Sequence, residues 1–155
     1  MSHEADAVRV WFRLLRLNTR IRAAMTTRLR KLEVSAPQCD VLTTLTEAEG
    51  ISQQELAQRL YVTKGNISGL IDRLAQANLV ERRSLSGDRR SHAIFLTPAG
   101  RKVALQGIAA QRDFVARSLG RMDSAKLAEF ERLMIIARDH VRNADCDGDV
   151  AVLKH

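Results

Sequence analysis

The stretch SQQELAQRLYVTKGNISGLIDRLAQANLVERRSLSGDRRSHAIFLTPAG, residues 52–100, decides how this chain folds. Its opening, Ser52-Gln-Gln-Glu55, has capping-box spacing, so a helix starts there, turns Leu56, Ala57 and Leu60 inward, and breaks at Tyr61-Val62. Thr63 caps a second helix in which Ile67, Leu70, Ile71 and Leu74 recur at i, i+3, i+4 and i+7, the spacing of one buried face. The opposite face reads Thr63, Lys64, Asn66, Ser68, Gly69 and Arg73, and is small, polar and basic. After Asn78 the period shortens towards two, and residues 79–84 and 92–97 predict a β-hairpin around the turn-rich Ser86-Gly87-Asp88. Two short helices joined tightly, the second with such a face, are what a helix-turn-helix needs, and the basic hairpin that follows makes a winged helix. A recognition helix must enter a major groove ~12 Å wide, where bulky outer residues would hold its backbone away from the bases. Interior glycines such as Gly65 and Gly69 each cost ~1 kcal/mol relative to alanine. Close approach to DNA explains that cost, and so would contact with another helix. Arg82, Arg83, Arg89 and Arg90 concentrate charge on the hairpin, where it can serve the neighbouring minor groove or simply discourage edge-to-edge pairing.

Outward from this stretch the chain reads as helix. Residues 1–36 hold neither Pro nor Gly, and Val8, Trp11, Phe12 and Leu15 begin an apolar stripe that Leu14, Leu17, Ile21, Met25 and Leu32 continue. A second helix starts at Pro37, carries Val41, Leu42 and Leu45 inward, and stops at Gly50. Downstream, Thr97-Pro98 opens a helix with Val103, Ala104, Ile108, Val115 and Leu119 on apolar positions, which Gly120 closes. The last helix, capped near Asp123 or Ser124, sets Leu127, Phe130, Met134, Ala137 and Val141 at alternating steps of three and four, the seam used in helix pairing. From Asn143 the composition turns acidic and small, which reads as a frayed tail over 144–155.

Composition bounds the function. A chain of 155 residues is one domain's worth, and folding hides roughly 70% of the surface of such a chain, so neither metal nor disulfide staples are required. Twenty-five Lys and Arg against eighteen Asp and Glu leave +7, which suggests a polyanionic partner, nucleic acid before membrane. The excess sits mainly in residues 1–36, at +5, and 52–97, at +3. No apolar run is long enough to span a bilayer, and the N-terminus lacks the charge of a secretory leader, so the chain is expected in the cytoplasm. Cys39 and Cys146 are read as free thiols. His3, His92, His140 and His155 are scattered without metal-site spacing. Asp145, Asp147 and Asp149 lack the Gly and Glu that a calcium loop needs at its sixth and twelfth positions. With no nucleophile elbow, no phosphate-binding glycine loop and no cofactor motif, neither catalysis nor a cofactor is expected.

Several of these residues together resemble the MarR-type winged-helix transcriptional regulators. Asp88-Arg89-Arg90, five residues, Leu96-Thr97, two residues and Gly100 look like the family's D-x-R, x5, L-T-x-x-G pattern. Gln53-Glu55-Leu56-Ala57 and Val62 to Ser68 are similar to its two DNA-binding helices, and Ser35-Ala36-Pro37-Gln38 with Val41-Leu42 to the start of its second helix. The motifs cover residues 35–100, and the helix layout extends the likeness to about 1–143. The resemblance implies a mainly α domain over 1–143. Within it, 1–34 and 123–143 would be dimerisation helices, 35–97 the winged-helix lobe with a two-stranded β-wing, and 98–120 a linking helix. It implies a homodimer on double-stranded DNA with a pseudo-palindromic operator. Repression is expected more readily than activation, because steric exclusion of polymerase needs only binding. DNA contacts would fall to Ser52, Gln53, Thr63, Lys64, Asn66, Ser68 and Arg73, with Arg89 and Arg90 in the minor groove, oriented by Asp88. Two alternatives stay open: Asp88 as a plain turn residue, and Arg73 as the ion-pair partner of Asp72 or Glu81. Relatives often release DNA when a small aromatic or anionic effector binds, and Trp11, Phe12, Leu15, Arg16, Thr19 and Cys39 are the residues expected nearest such a pocket, although a Trp-Phe-Leu stripe also suits a core or dimer contact. Peroxide sensing through Cys39, and a winged helix used for non-specific DNA binding or protein contact, are the competing readings.

Overall fold

The computed structural model describes residues 2–85 and 88–152, without the side chains of 85, 88–91 and 145–152. The elements run α1 (His3–Leu29), a 3-10 turn (Arg30–Leu32), α2 (Ala36–Glu47), β1 (Ile51–Ser52), α3 (Gln53–Leu60), α4 (Lys64–Gln76), β2 (Val80–Leu85), β3 (Asp88–Leu96), α5 (Pro98–Arg117), a second 3-10 turn (Leu119–Arg121) and α6 (Ser124–Val152). They form two compact units, Met1–Asp113 and Phe114–His155. Among the described residues no helix is long and apolar enough to cross a membrane.

Local chemistry sets the helix ends. Ser2 Oγ accepts the Ala5 N–H at 3.3 Å to start α1, and Glu4 and Asp6 in the first turn favour its positive end. The complete capping box is at α2, where the Gln38 N–H reaches Ser35 Oγ at 3.3 Å and the Ser35 N–H reaches Gln38 Oε1 at 2.8 Å. At α3 half of the expected box is present. Ser52 Oγ accepts the Glu55 N–H at 3.1 Å, while the Glu55 carboxylate is held by Arg59 one turn on at 2.8 Å. Tyr61 ends α3 in the left-handed region, at φ 53°, and Thr63 Oγ1 caps α4 through the Asn66 N–H at 3.2 Å. Asp123 caps α6 by accepting the Lys126 N–H at 2.9 Å. That helix continues to Val152, beyond the point where the composition turns acidic, since no proline after Pro98 removes a backbone donor. α5, in contrast, ends at Arg117, ahead of Gly120, where the Ser118 hydroxyl donates to the Phe114 carbonyl at 2.6 Å.

The core of the first unit is built from α2, α3, α4 and the sheet. Val41, Leu42, Leu45, Leu56, Ile67, Ile71, Leu74 and Ile94 have no exposed surface, and each such side chain is worth about 1.5–3 kcal/mol of burial. The sheet has the order β1-β3-β2, antiparallel throughout. The expected two-stranded wing is present, with Val80 opposite Leu96 through to Ser84 opposite His92, and an irregularity follows at Ser84 and Leu85. A third strand joins it, because Ile51 pairs with Ile94 and Ser52 with Ala93. Two residues are too short for any period to reveal. Glu49 fixes this end of the sheet, accepting the Leu96 N–H at 2.9 Å and binding Arg101 at 2.5 Å.

The Leu96-Thr97…Gly100 signature acquires a physical meaning at the wing's exit. Thr97 Oγ1 accepts the Gly100 N–H at 2.9 Å, capping α5, and donates to the Asn78 carbonyl at 2.7 Å. The Thr97 N–H meets the Leu79 carbonyl at 3.1 Å. A Cβ on Gly100 would lie 1.8 Å from that same carbonyl oxygen, so no side chain fits. Gly100→Ala is therefore expected to lower the urea midpoint by the equivalent of at least 1–3 kcal/mol, the usual cost of forced overpacking. A midpoint equal to that of the wild type would show that α5 and the chain at Leu79 do not approach so closely.

Candidate nucleic-acid interface

α4 has one buried side, made of Ile67, Leu70, Ile71 and Leu74, and a helix of this length leaves the opposite side outward. Lys64, Gly65, Asn66, Asp72 and Arg73 are exposed, Ser68 and Gly69 half-buried. Among the described residues a Cβ built on Gly65 would meet nothing within 4 Å, and one on Gly69 would meet only the far end of Arg73 at 3.9 Å. Neither glycine has a positive φ, so neither backbone strain nor internal packing requires it. Helix–helix contact among the described residues is thus removed as the reason for these glycines, and what they leave is a low outer surface. Thr63 spends its hydroxyl on the cap but stays exposed beside Lys64, while Ser52 and Gln53 are half-buried at the start of α3.

The ion pairs distribute the wing's charge. Asp72, an acid on the outer side of α4, is bound by Arg82 of β2 at 2.6 Å, which cancels a charge that would repel phosphate and ties helix to wing. Arg83 binds Glu81 and lies 4.1 Å from the ring centre of Phe95. Both carboxylates that could have engaged Arg73 are therefore held by wing arginines, and among the described residues no carboxylate pairs with Arg73. Exposed pairs of this kind contribute about 0–1 kcal/mol to stability, so their effect is chiefly on placement and field. Neither the Asp72–Arg82 link nor Glu49 stood out in the sequence, because their partners lie 10 and 47–52 positions away. The backbone of Asp88, Arg89 and Arg90 belongs to β3; their side chains, and Ser86 and Gly87, lie outside the described residues.

A cavity of about 440 Å³ opens in the same unit between α1, α2 and the turn before α4. Ile21, Met25, Leu60 and Val62 give it apolar walls, and Arg22 and Asp40 bring one charge of each sign. Of the residues expected near a pocket, Cys39 lines this one. Trp11, Phe12, Leu15, Arg16 and Thr19 lie on exposed turns of α1, nearer its N-terminus. Burial raises the Asp40 carboxyl above its ordinary range, with Arg22 opposing. The Cys39 thiol is buried against Gly107, whose Cβ, if present, would lie 2.4 Å from the sulfur. Burial, and then the Asp40 charge, push this thiol up to about 11. Among the described residues no group of three His, Cys, Asp or Glu could hold a metal ion.

Comparison with known proteins adds a family to this geometry. The MarR family profile matches residues 34–92. The chain is 33% identical over 102 residues to the HTH-type transcriptional regulator TtmR of Methylorubrum extorquens, a match covering 66% of this chain and 50%, half, of that protein's length. It is 31% identical over 110 residues to the uncharacterized HTH-type transcriptional regulator YfiV of Bacillus subtilis, covering 70% and 68%. With the HTH-type transcriptional repressor Rv2887 of Mycobacterium tuberculosis it shares 28% identity over 130 residues, covering 84% and 94%. Among solved structures, the MarR family transcription regulator SP03579 superposes with a TM-score of 0.81 at 23% identity, covering 92% of this chain and 95% of that one. A mutant MarR from E. coli complexed with operator DNA gives 0.78 at 22%, covering 88% and 99%. At these identities the two structures show the fold.

Two outcomes follow from the geometry. Gly69→Ala should stabilise the fold by up to about 1 kcal/mol, seen as a higher melting temperature, while weakening binding to DNA at least about fivefold. A gain or loss in both together would remove the assigned reason for the glycine. Cys39, buried and with its thiol pushed well above the ordinary range, should resist iodoacetamide and mild peroxide in the folded protein and react after unfolding; mass spectrometry reads both states, and ready modification of the native protein at pH 7 would contradict the burial.

Proposed function

The chain belongs to the MarR family of transcriptional regulators, and from that membership we propose that it is a homodimeric repressor reading a pseudo-palindromic operator through α4 and the wing. The observation that carries this reading is the outer face of α4, where two glycines without an internal role stand among exposed Lys64, Asn66 and Arg73. On this reading Thr63, Lys64, Asn66, Ser68 and Arg73 face the major groove. Ser52 and Gln53 meet the DNA at the start of α3, and Arg89 and Arg90 enter the minor groove, oriented by Asp88. Phosphate contacts supply affinity and the few base contacts supply specificity.

Unpartnered apolar surface supports the dimer. Trp11, Phe12, Leu14, Leu15 and Leu17 on α1, and Leu133, Met134, Ile135 and Ile136 on α6, are each 40% or more exposed. Single chains seldom leave apolar stripes of this length in water, and a second copy would cover them. Repression is the simpler outcome, since a bound dimer blocks polymerase by occupancy, and the relative Rv2887 is named a repressor. The protein acts in the cytoplasm and without catalysis. The cavity beneath α1 has a volume ordinary for a ligand site. A small aromatic or anionic effector seated there would touch Arg22 and the turn at Leu60 to Val62 at once, coupling its binding to the placement of α4. The raised Cys39 thiol argues against peroxide sensing as the trigger.

Selection from random duplexes should recover an inverted repeat with half-site centres about one turn apart, ~34–36 Å. Asn66→Ala should then change which sequence is preferred, whereas Arg90→Ala should weaken all duplexes alike. Recovery of a single unsymmetrical half-site would refute the dimeric reading, and a specific-to-random affinity ratio near one would point to the non-specific alternative instead.

A further inference from the structure

Between α3 and the start of α4 the surface is hollowed into a recess lined by Gln54, Ala57, Gln58, Tyr61, Val62 and Lys64. Ala57 is buried and Val62 half-buried, so these two make an apolar floor, and the other four side chains stand exposed around it. All four bring donors: two amide NH₂ groups, a phenol O–H and an ammonium. None of the lining residues is an acid, and Glu55, the carboxylate of α3, is occupied by Arg59 at 2.8 Å. Among the described residues none of the four has a hydrogen-bond or ion-pair partner, so their donors are unspent.

Tyr61 is the member that a purely structural role leaves unexplained. Its side chain is 96% exposed, and its φ of 53° is a conformation that glycine adopts at lower cost. Nothing it buries within the chain offsets either disadvantage. A phenol held out beside an ammonium and two amides is suited to a tetrahedral anion. One positive charge with neutral donors fits a phosphodiester, which carries a single negative charge.

We propose that this recess seats a phosphate of the DNA backbone at the lip of the groove that α4 enters, with Lys64 supplying charge and Gln54, Gln58 and Tyr61 the hydrogen bonds. This rests on α4 being the groove-entering helix. Phosphates line both lips of a major groove ~12 Å wide, so residues immediately preceding a helix end in the groove arrive beside them. Such a contact fixes the register of the protein on the duplex and carries no sequence information.

The test compares a selected duplex and a scrambled one of equal length, titrated at several salt concentrations. Tyr61→Phe and Gln58→Ala should each weaken binding to both duplexes by the same factor, about three- to tenfold, without changing the salt slope. Lys64→Gln should lower that slope by about one. Tyr61→Gly should raise the melting temperature while weakening binding, a pair of opposite signs that misfolding cannot produce. A methylphosphonate at the contacted position should abolish the difference between Tyr61→Phe and the wild type. Unchanged affinity in Tyr61→Phe and Gln58→Ala overturns the proposal. If Asn66→Ala still alters sequence preference in the same assay, the role of α4 stands and the recess alone falls; if Asn66→Ala is silent too, both fall. Stabilisation by inorganic phosphate alone that Tyr61→Phe abolishes, with DNA affinity unchanged, assigns the seat to a free anion and likewise overturns the backbone contact.

Discussion

Everything the outer face of α4 presents follows from the burial of Ile67, Leu70, Ile71 and Leu74. Three of these side chains have no exposed surface and Leu70 has 7%. At a period of 3.6 that leaves no freedom to rotate α4 about its axis. A rotation by one residue would expose two or three of them, at about 1.5–3 kcal/mol each, against an entire fold that is stable by only about 5–15 kcal/mol. Gly65, Gly69 and Asp72 are therefore outward by necessity. The outer face can vary in sequence without altering which positions it holds, an arrangement suited to changing specificity while retaining a scaffold.

The wing is coupled to that helix at both ends. At its base Arg82 reaches Asp72, and at its exit the Thr97 hydroxyl and the Gly100 backbone close on Asn78 and Leu79, the two residues that follow α4 and its cap. Glu49 adds a third tie, joining the end of α2 to β3 and α5. The individual ion pairs are weak because they are exposed, yet together with the sheet they hold hairpin and helix as one body. If helix and wing enter neighbouring grooves as proposed, that relation has to be fixed before DNA is met, since ordering it on contact would subtract from affinity.

Much of this was legible in residues 52–100 because it is written in local chemistry. Caps at Ser52 and Thr63, the break at Tyr61, the 3.6-period face of α4 and the strand period after Asn78 all act within a few positions. What sequence reading missed depends on distance or brevity. β1 is two residues long, and Glu49 finds partners 47 and 52 positions on. The capping box at Ser35 and Gln38 had the same spacing as the one at Ser52 and was equally readable; at Ser52 the reciprocal bond yields to Arg59, a competitor one turn along that the motif does not contain. The cavity lies lower on α1 than the Trp11-Phe12-Leu15 stripe suggested. Aromatic composition marks a surface that something covers, whereas a cavity forms where the α1 residues Asn18, Ile21, Arg22 and Met25 stand away from α2 and the α3–α4 turn.

Charge shows the same division between local tasks and the partner. The middle of the chain carries seven basic residues, but Arg59, Arg82 and Arg83 are each engaged by a carboxylate of their own neighbourhood. Those pairings neutralise Glu55, Asp72 and Glu81, three of the four acids of residues 52–97. An unpaired acid on this surface would oppose a polyanion over roughly a Debye length, ~8–10 Å, and so would weaken contacts it does not touch. The local pairs thus withhold three negative charges from any approaching polyanion. With these three acids paired, none of them opposes the field of Lys64 and Arg73 beside α4, which a duplex with one charge per ~1.7 Å would feel strongly.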